Sequence, residues 1–526
     1  MTRFAKNIFA VLTLALVCLF PVHSLASQPA LVAAASPDDT LSLWVMDNGI
    51  GSQRALGRIV KRFQRETKIP VSIRFLNWGE AFAEISKALN GADSVASNGN
   101  GPDVLQLGST WVPFFASSGA IEPLDAYLEQ VGATRFFKES FKAARLPQDS
   151  LVYSFPWFVD VRALYANEKL WKKLALEKEE VDSYSEFIGV LRAFAKNATG
   201  GSDGAAKVAP FALPGKGDWT GPQHMAPFIW SFGGDFITKT SAGYRSALLD
   251  STTLKGLAYY LRIFADREIS PYGLDENSVQ ETERFIGGGQ LVLYGTSEII
   301  RQMEIASKDG GLKDSPIAED GITIVEPLAG HSGIVSFVGG SHLVLPKAHR
   351  PAAERLLCYL LRADNMDAYT RQVGFLPADE SIVNIWGKDA RYSRIIETMK
   401  IGKSFPNIPE WVAIEGILIE FSNALGDLFR EGSSREAVED QTVELFWDAH
   451  QKINKSLGFA DTLDKAHAVS HIKSLVFAPV EEVTPESMTV VVEDEGGSIW
   501  VFVLVAVIAA VAAIAGMALS ALIRKK

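Results

Sequence analysis

The chain has 526 residues, of which 47% are hydrophobic and 21% charged, a composition typical of globular proteins. That length allows two or more domains, each large enough to bury a core of its own. The formal net charge is −11, and because no basic run interrupts this acidic excess, nucleic acid is not an expected partner. The only cysteines are Cys18 and Cys358, too few for a disulfide framework or a cysteine-based zinc site, and no metal or cofactor is expected.

The amino terminus has the pattern of a secretory signal peptide. Two basic residues precede an apolar stretch over residues 8–20, and Ser24-Leu25-Ala26 places small residues at the expected cleavage position. A membrane-spanning helix needs about 20 apolar residues, whereas Pro21 ends this stretch earlier. We therefore predict a signal peptide over residues 1–26.

The carboxyl terminus carries a second apolar segment. Residues 499–523 contain no charged side chain, and this length is enough to span a bilayer core of about 30 Å. Acidic residues precede the segment and the basic run 524–526 follows it. Because the positive side of a membrane segment stays in the cytoplasm, we predict one transmembrane helix with the rest of the protein outside. The acidic, weakly periodic region 457–498 is predicted to be a partly extended stalk.

Strand-like and helix-like patterns alternate between the two ends. Alternating or continuous apolar runs at 41–45, 71–75 and 103–107 predict strands, and apolar spacing at 57–66 and 80–89 predicts the intervening helices. Strands separated by helices of this length are typical of βαβ units in a parallel or mixed sheet. The fold class is therefore α/β. Longer helical patterns follow at 254–264, 351–361 and 411–430, with strand candidates at 291–294, 322–325 and 342–345.

The sequence lacks the common catalytic and nucleotide-binding signatures. His-Glu-x-x-His, Gly-x-Ser-x-Gly and the phosphate loop do not occur, so we expect a binding protein and no catalytic residues. One alternative remains open, a glycan hydrolase that uses Asp103 and Asp160 as a carboxylate pair. Asp103 follows Gly101-Pro102, where an aspartate typically orders a turn.

Asp160 directly follows the apolar and aromatic run Phe155-Pro-Trp-Phe-Val159. A carboxylate in that position is either paired inside the protein or accepts hydrogen bonds from the hydroxyls of a ligand. Tryptophans such as Trp111 and Trp219 stand among glycine, serine and threonine, which is typical of loops. Aromatic faces beside carboxylates and hydroxyls suit sugars, although most tryptophans in a globular protein are core residues.

Six short phrases occur in a fixed order between about residues 41 and 454. They are Leu43-Trp-Val-Met-Asp-Asn48, Phe63-Gln-Arg-Glu-Thr-Lys-Ile-Pro-Val71, Gly101-Pro-Asp103 with Ser118-Gly119, Phe155-Pro156 through Leu164-Tyr165 and Asn167, Phe337-Val-Gly-Gly-Ser341 with Gly374-Phe-Leu-Pro377, and Phe405-Pro-Asn-Ile-Pro409. With these phrases the chain resembles the type 1 extracellular solute-binding proteins, typified by maltose-binding protein. The resemblance implies a periplasmic-binding-protein type II fold, in which two α/β lobes joined by a hinge close on a ligand.

The same resemblance implies where the chain crosses between lobes. With crossings near Asp160, after the strand at 322–325 and near Gly374, one lobe would comprise residues 41–159 and 328–373. The other lobe would comprise residues 160–327 and 376–456.

The resemblance also implies a set of ligand contacts at the lobe junction. The positions that line up with family contacts are Asp47, Asn48, Ser109, Thr110, Trp111, Asp160, Trp219, Gln223, Ser297, Glu298, Ser341, Trp411 and Glu415. Maltose-binding protein carries stacking tryptophans at two of these positions, where this chain has Ser297 and Glu415. Specificity for maltodextrins is therefore not implied.

The function implied by the resemblance is that of the receptor of an ABC importer. Such a receptor captures a small solute, here a carbohydrate-like one, and delivers it to permease subunits in the membrane. The predicted carboxyl-terminal helix would hold the binding lobes on the extracytoplasmic side of the cell membrane. A ligand-sensing receptor subunit is the alternative that would use the same binding core.

Overall fold

The computed structural model describes residues 40–478, apart from residues 50, 91–100, 148–149, 175, 177–180, 198–207, 326 and 432–433. The predicted signal peptide and the predicted transmembrane helix lie outside the described residues. The strands of the described part are β1 (Leu41–Met46), β2 (Val71–Leu76), β3 (Val104–Gly108), β4 (Phe155–Asn167), β5 (Ile237–Thr240), β6 (Gly243–Ser246), β7 (Val292–Thr296), β8 (Ile322–Val325), β9 (Ala329–Gly330), β10 (Gly333–Ile334), β11 (Ser336–Val344), β12 (Leu376–Pro377) and β13 (Gly402–Lys403).

The helices of the described part follow in the same chain order. They are α1 (Ser52–Thr67), α2 (Trp78–Asn90), α3 (Val112–Ser117), α4 (Leu128–Val131), α5 (Lys138–Lys142), α6 (Glu168–Lys173), α7 (Tyr184–Asn197), α8 (Gly221–Ser231), α9 (Ser251–Ala265), α10 (Ser278–Ile286), α11 (Glu298–Gln302), α12 (Pro316–Asp320), α13 (Ala353–Leu360), α14 (Ala363–Val373), α15 (Glu380–Trp386), α16 (Ala390–Lys400), α17 (Trp411–Arg430), α18 (Arg435–Ser456) and α19 (Lys465–Val476).

The first lobe is built on the parallel strands β1, β2 and β3. Strand β1 lies between the other two and pairs with β2 in register from Leu41 opposite Val71 to Met46 opposite Leu76. Helix α1 connects β1 to β2 and buries Ile59, Val60 and Phe63 against the sheet, the spacing that the sequence pattern predicts. The predicted βαβ organisation of this lobe is confirmed.

Strand β4 is shared by both lobes. Its first half pairs with β11 and β12, which extend the sheet of the first lobe. Its second half pairs on either side with β7 and β8, which form the sheet of the second lobe. All of these pairings are antiparallel, so the sheet is mixed. The pairing changes from one sheet to the other in the middle of β4, around Asp160, which we call the crossing point.

The second lobe is predominantly helical around its short sheet. Helices α8, α9, α17 and α18 enclose a core that contains Trp230, Phe236, Phe405 and Trp411, all of them buried. The ring centroids of Phe405 and Trp411 are 4.7 Å apart, and those of Phe236 and Trp411 are 5.9 Å apart. Burial of several large aromatic rings gives this lobe a core independent of the first.

Two predicted boundaries differ from the structure. Helix α15, expected in the second lobe, packs against β12 and buries Val383 and Trp386 in the cluster that also contains the core of the first lobe, whereas α16 contacts both β11 and β8. The chain therefore leaves the first lobe after α15 rather than near Gly374. The start of the predicted stalk is also wrong. Helix α19 lies within it, buries Ile472 in the core of the second lobe and contacts α9 and α18.

The apolar face of α19 is short, with Ala468, Ile472 and Val476 buried. In a region rich in acidic residues so short a face gives a weak periodic signal, and the sequence pattern therefore suggested an extended segment. Among residues 40–478 as the structure describes them, no helix is both long and apolar enough to cross a membrane.

Candidate functional site

The loops that follow β1, β2 and β3 meet at one edge of the first lobe, because the carboxyl ends of parallel strands lie at the same edge. Asp47 and Asn48 follow β1, and Ser109 follows β3. The Ser109 N–H donates a hydrogen bond of 2.9 Å to the Gly340 carbonyl oxygen on β11. Strand β11 pairs in turn with the middle of β4. This edge of the first lobe therefore faces the crossing point between lobes.

Buried polar side chains next to these loops form a hydrogen-bond network. The Asn48 side-chain amide donates to Tyr369 Oη at 2.8 Å and to Gln106 Oε1 at 3.1 Å. The Gln106 amide donates to Ser341 Oγ at 2.8 Å. Asn48 is 4% exposed and Ser341 1%, so these two predicted contacts hold the loops in place within the lobe. Asp47 is exposed, and its carboxylate accepts hydrogen bonds from Ser52 and Gln53 at the start of α1.

Two tryptophans flank the end of β3. Trp78 begins α2 after β2, Trp111 follows Thr110 after β3, and their ring centroids lie 5.5 Å apart. Both rings lie beside Gly108, where an added Cβ would stand 3.5 Å from Trp78 and 3.8 Å from Trp111. Thr110 and both tryptophans are partly exposed. The structure thus brings predicted Thr110 and Trp111 together with Trp78, which sequence reasoning missed.

Asp160 and Arg162 lie on one face of β4 at the crossing point, because alternate strand residues share a face. Asp160 Oδ2 is 4.0 Å from Arg162 Nε, and the Arg162 side chain is only 8% exposed. Neither Asp160 Oδ1 nor Arg162 Nε has a hydrogen-bond partner among the described residues. Desolvation raises the pKa of Asp160 above its ordinary value, although the Arg162 guanidinium acts in the opposite direction.

Strand β7 ends beside this pair and leads into α11. The Ser297 hydroxyl is fully buried and donates a hydrogen bond of 2.9 Å to the Gly374 carbonyl oxygen. In this arrangement its hydroxyl joins two segments inside the protein. Glu298 is partly exposed. Its Oε2 lies close to Gly49 of the first lobe, where an added Cβ would stand 3.7 Å from that oxygen.

The second lobe contributes the amino-terminal end of α8. Trp219 is 51% exposed, whereas its neighbour Gln223 is 6% exposed and its Oε1 has no hydrogen-bond partner within the described residues. The His224 ring packs against the Tyr294 ring of β7 at 5.1 Å. Desolvation, assisted by Arg162, lowers the pKa of His224 to about 4, so this histidine is neutral at physiological pH.

Helix α17 carries two of the predicted ligand contacts, one buried and one partly exposed. Trp411 has no exposed surface and belongs to the core of the second lobe. Phe236 and Phe405 cover its ring, which gives it a packing role in this arrangement. Glu415, one turn further along the helix, is partly exposed. The alternative carboxylate pair also fails, because Asp103 accepts hydrogen bonds from Ser42 and Arg350 at the opposite end of β3.

The carboxyl groups of Glu298 and Glu415 both have raised pKa values. Desolvation raises the pKa of each carboxyl group from 4.5 to about 7, and the Asp160 carboxylate adds to the effect at Glu298. Each pKa is higher in the folded chain than in the unfolded chain. The folded protein therefore binds more protons between about pH 4.5 and 7, and its stability falls as the pH rises through this window.

The double variant Glu298→Gln, Glu415→Gln is expected to lose most of this pH dependence. In the unmodified protein the free energy of unfolding should fall by about 1–2 kcal/mol per group from about pH 5 to 7.5, since partial exposure reduces the full effect of the shift. Melting temperatures across this range measure it. The exposed Glu431→Gln at the end of α17 serves as the control and should keep the original profile. An unchanged slope in the double variant would contradict the assignment.

The relatives of this chain are solute-binding proteins. The diacetylchitobiose binding protein DasA of Streptomyces coelicolor is 25% identical over 383 residues, which cover 72% of this chain and 82% of that protein. The GacH receptor of Streptomyces glaucescens, known unliganded and with acarbose, matches with a TM-score of 0.63 at 18% identity, over 80% of this chain and 99% of that chain. A maltotriose binding protein of Thermus thermophilus matches with a TM-score of 0.61 at 19% identity, over 80% and 100% of the respective chains.

These structural matches confirm the two-lobe α/β fold. The sequence profile of the bacterial extracellular solute-binding proteins matches residues 49–367, which is more than half of the chain. On the strength of that match, the chain belongs to the bacterial extracellular solute-binding protein family.

Proposed function

We propose that this protein captures a carbohydrate-like solute at the junction of its lobes and presents it to the permease of an ABC importer. The observation that carries the proposal is a set of buried polar atoms, on Asp160, Arg162 and Gln223, that have no hydrogen-bond partner among the residues that the structure describes. Leaving a buried polar group unsatisfied costs about 1–3 kcal/mol, and such groups normally have partners. A solute that supplies those partners removes this cost, so each new hydrogen bond would stabilise the complex by about 1–3 kcal/mol.

Partly exposed aromatic rings on both lobes support a sugar as the solute. Trp78 and Trp111 stand at the edge of the first lobe and Trp219 at the start of α8. The C–H face of a sugar ring stacks on an aromatic ring while its hydroxyls bond to polar groups nearby. The names of the relatives, which refer to diacetylchitobiose, acarbose and maltotriose, favour the same class of solute. Asp160, Gln223, Glu298 and Glu415 would accept hydrogen bonds from it.

Solute binding is expected to bring the two lobes together. A ligand that contacts groups on both lobes stabilises the conformation in which all of them are within reach. Thermal shift against a library of sugars and other small solutes identifies the ligand, because binding raises the melting temperature by mass action. Small-angle scattering with that ligand should then show a smaller radius of gyration. An unchanged scattering profile at saturating ligand would contradict closure, and a library without any carbohydrate hit would contradict the sugar class.

Anchoring by the carboxyl-terminal segment is also part of the proposal. The apolar residues 499–523, with acidic residues before and basic residues after them, support a single span with its carboxyl end in the cytoplasm. A chain that ends at Gly497 is expected to remain in the soluble fraction after cell lysis, whereas the full chain should sediment with membranes. Sedimentation of the shortened chain with membranes would contradict the single anchor.

A further inference from the structure

A cavity of about 50 Å³ lies in the second lobe, against the sheet that β4 forms with β7 and β8. Leu164 of β4 lies opposite Tyr294 of β7 on one side and opposite Val325 of β8 on the other. Residues that lie opposite each other in an antiparallel pair project from the same face of the sheet. All three side chains line the cavity, so this row across the sheet forms one of its walls.

Helices α7 and α8 form the opposite wall. Tyr184 and Phe187 of α7 and Phe228 and His224 of α8 line it, and all four side chains are buried. The ring centroids of Tyr184 and Phe228 are 4.5 Å apart. A cavity lined mainly by apolar and aromatic side chains stays dry and takes up apolar groups. The cavity is therefore suited to a small apolar group of a ligand.

The cavity lies next to the crossing point along β4. Asp160, Arg162 and Leu164 are alternate residues of this strand and share one face. Arg162 lies opposite Thr296 and Leu164 opposite Tyr294, so Arg162 is two residues, about 7 Å, from the cavity wall. Arg162 Nε is buried and has no hydrogen-bond partner among the described residues. A donor for a solute oxygen is therefore present between Asp160 and the cavity.

The hydrogen bonds of His224 place its proton on Nδ1. This nitrogen lies 2.9 Å from the Thr220 carbonyl oxygen, which can only accept. The Thr220 hydroxyl donates to Asp218 Oδ1 and can accept from Nδ1 at 3.1 Å. Burial lowers the pKa of His224 to about 4, so the ring is neutral and carries a single proton. Nε2 is therefore an acceptor on a residue that lines the cavity.

We propose that the solute is an N-acylated amino sugar, whose acyl methyl group enters this cavity while the amide carbonyl accepts from Arg162 and the amide N–H donates to His224. The inference rests on the sugar-binding function proposed above and refines it. One water molecule needs about 10–15 Å³ of such a cavity. About 50 Å³ therefore accommodates roughly three or four heavy atoms, and an acetyl group has that size.

Other substituents match these features less well. A hydroxyl group leaves the cavity empty, and an unfilled apolar cavity is unfavourable. An ammonium group offers no acceptor to Arg162 and loses its hydration beside apolar walls. An alkyl group fills the cavity but supplies no hydrogen-bond partner to Arg162 or His224.

Three disaccharides with the same linkage isolate the acyl group. Diacetylchitobiose, chitobiose and cellobiose carry an acetamido, an amino and a hydroxyl group at the same ring position. Calorimetric titration of the full chain in mild detergent is expected to show diacetylchitobiose binding at least about tenfold more tightly than the other two. Filling a cavity of this volume contributes about five- to tenfold in affinity, and the hydrogen bonds to the amide add to it.

The variant Leu164→Phe is expected to abolish the preference for diacetylchitobiose, because the larger ring occupies the space that the methyl group would enter. Binding of cellobiose should change little. The melting temperature without ligand should not fall, since the added volume fills an existing cavity. Leu151→Phe, at an exposed position of the first lobe, is the matched control and should bind all three disaccharides like the original protein.

The variant His224→Asn tests the contact to the amide N–H separately. Asparagine keeps a donor at the position of Nδ1, and with it the bond to Thr220, but has no atom in place of Nε2. Binding of diacetylchitobiose should weaken by about tenfold, and binding of cellobiose should stay the same. His342→Asn is the matched control, because His342 is similarly buried and its Nδ1 bonds to Ser154 Oγ in the first lobe.

Equal or tighter binding of cellobiose overturns the inference and leaves the sugar-binding function intact. A preference for diacetylchitobiose that survives either variant in its folded form also overturns it, because the acetyl group would then be recognised elsewhere. Failure of all three disaccharides to bind overturns the inference as well, and the library screen then decides the proposed function separately.

Discussion

Replacing Asp160 with asparagine is expected to weaken solute binding by about ten- to a hundredfold and to leave the melting temperature of the unliganded protein nearly unchanged. A hydrogen bond to a charged group contributes about 1.5–3 kcal/mol, which corresponds to that range of affinity. Little stability should be lost, because Asp160 Oδ1 has no partner among the described residues and Oδ2 lies 4.0 Å from Arg162 Nε. Calorimetric affinity and thermal melting of the variant measure the two effects.

Asp103→Asn is the matched control for this prediction. The Asp103 carboxylate is buried and accepts hydrogen bonds from the Ser42 N–H and the Arg350 N–H, both at 2.7 Å, and from the Arg350 guanidinium at 2.6 Å. Removing its charge should lower the melting temperature and leave the affinity unchanged, since breaking a buried pair destabilises the folded state. If Asp160→Asn behaves in this way, Asp160 is a structural residue and not a ligand contact.

Replacing Trp411 with alanine is expected to lower the free energy of unfolding by about 3–5 kcal/mol, the usual range for removing a large aromatic side chain from a core. The Trp411 ring is fully buried between Phe405 and Phe236, so a cavity would remain where it packs. Denaturant unfolding followed by fluorescence measures the loss. Solute affinity should be unchanged under conditions where the variant is folded.

Trp219→Ala should show the opposite pattern. Because Trp219 is 51% exposed, its removal leaves no cavity, and the free energy of unfolding should change by less than about 0.5 kcal/mol. Loss of one stacking contact, worth about 0.5–1.5 kcal/mol, should weaken sugar binding by about two- to tenfold. If the Trp411→Ala protein is fully folded but binds the solute more weakly, Trp411 is a ligand contact.

The fold was largely predictable because its signals are local. The alternation around β1, α1 and β2 and the apolar face of α1 follow directly from residue periodicity, and the helix predicted at 411–430 has those bounds in the structure. Family membership confirms that the chain is a solute-binding protein rather than an enzyme. The lobe boundary near Gly374 was not predictable from periodicity, since α15 and α16 are amphipathic helices that either lobe could bury.

The candidate site was predictable only in part, because the position of a residue in a family motif does not tell whether its side chain is buried. Asp160 and Trp111 came from context, an acid after an apolar run and an aromatic after a strand. The same two signals, applied further, point to Arg162, a charge on the same face of β4, and to Trp78, which follows β2. Trp411 looked like a ligand contact since nothing in its local sequence reveals the rings that cover it.

The strand shared by the two lobes also has a mechanical consequence. Strand β4 has 13 residues, about 43 Å of extended backbone, and neighbouring strands clamp both of its halves. Rotation of one lobe against the other therefore twists the backbone around Asp160, where β11 presents Gly339 and Gly340. A Cβ at position 340 would press on the Phe158 carbonyl oxygen at 2.8 Å and stiffen this torsion element. Because the proposed solute contact Asp160 lies in this element, we expect a side chain at position 340 to change both the stiffness of the strand and the affinity for solute.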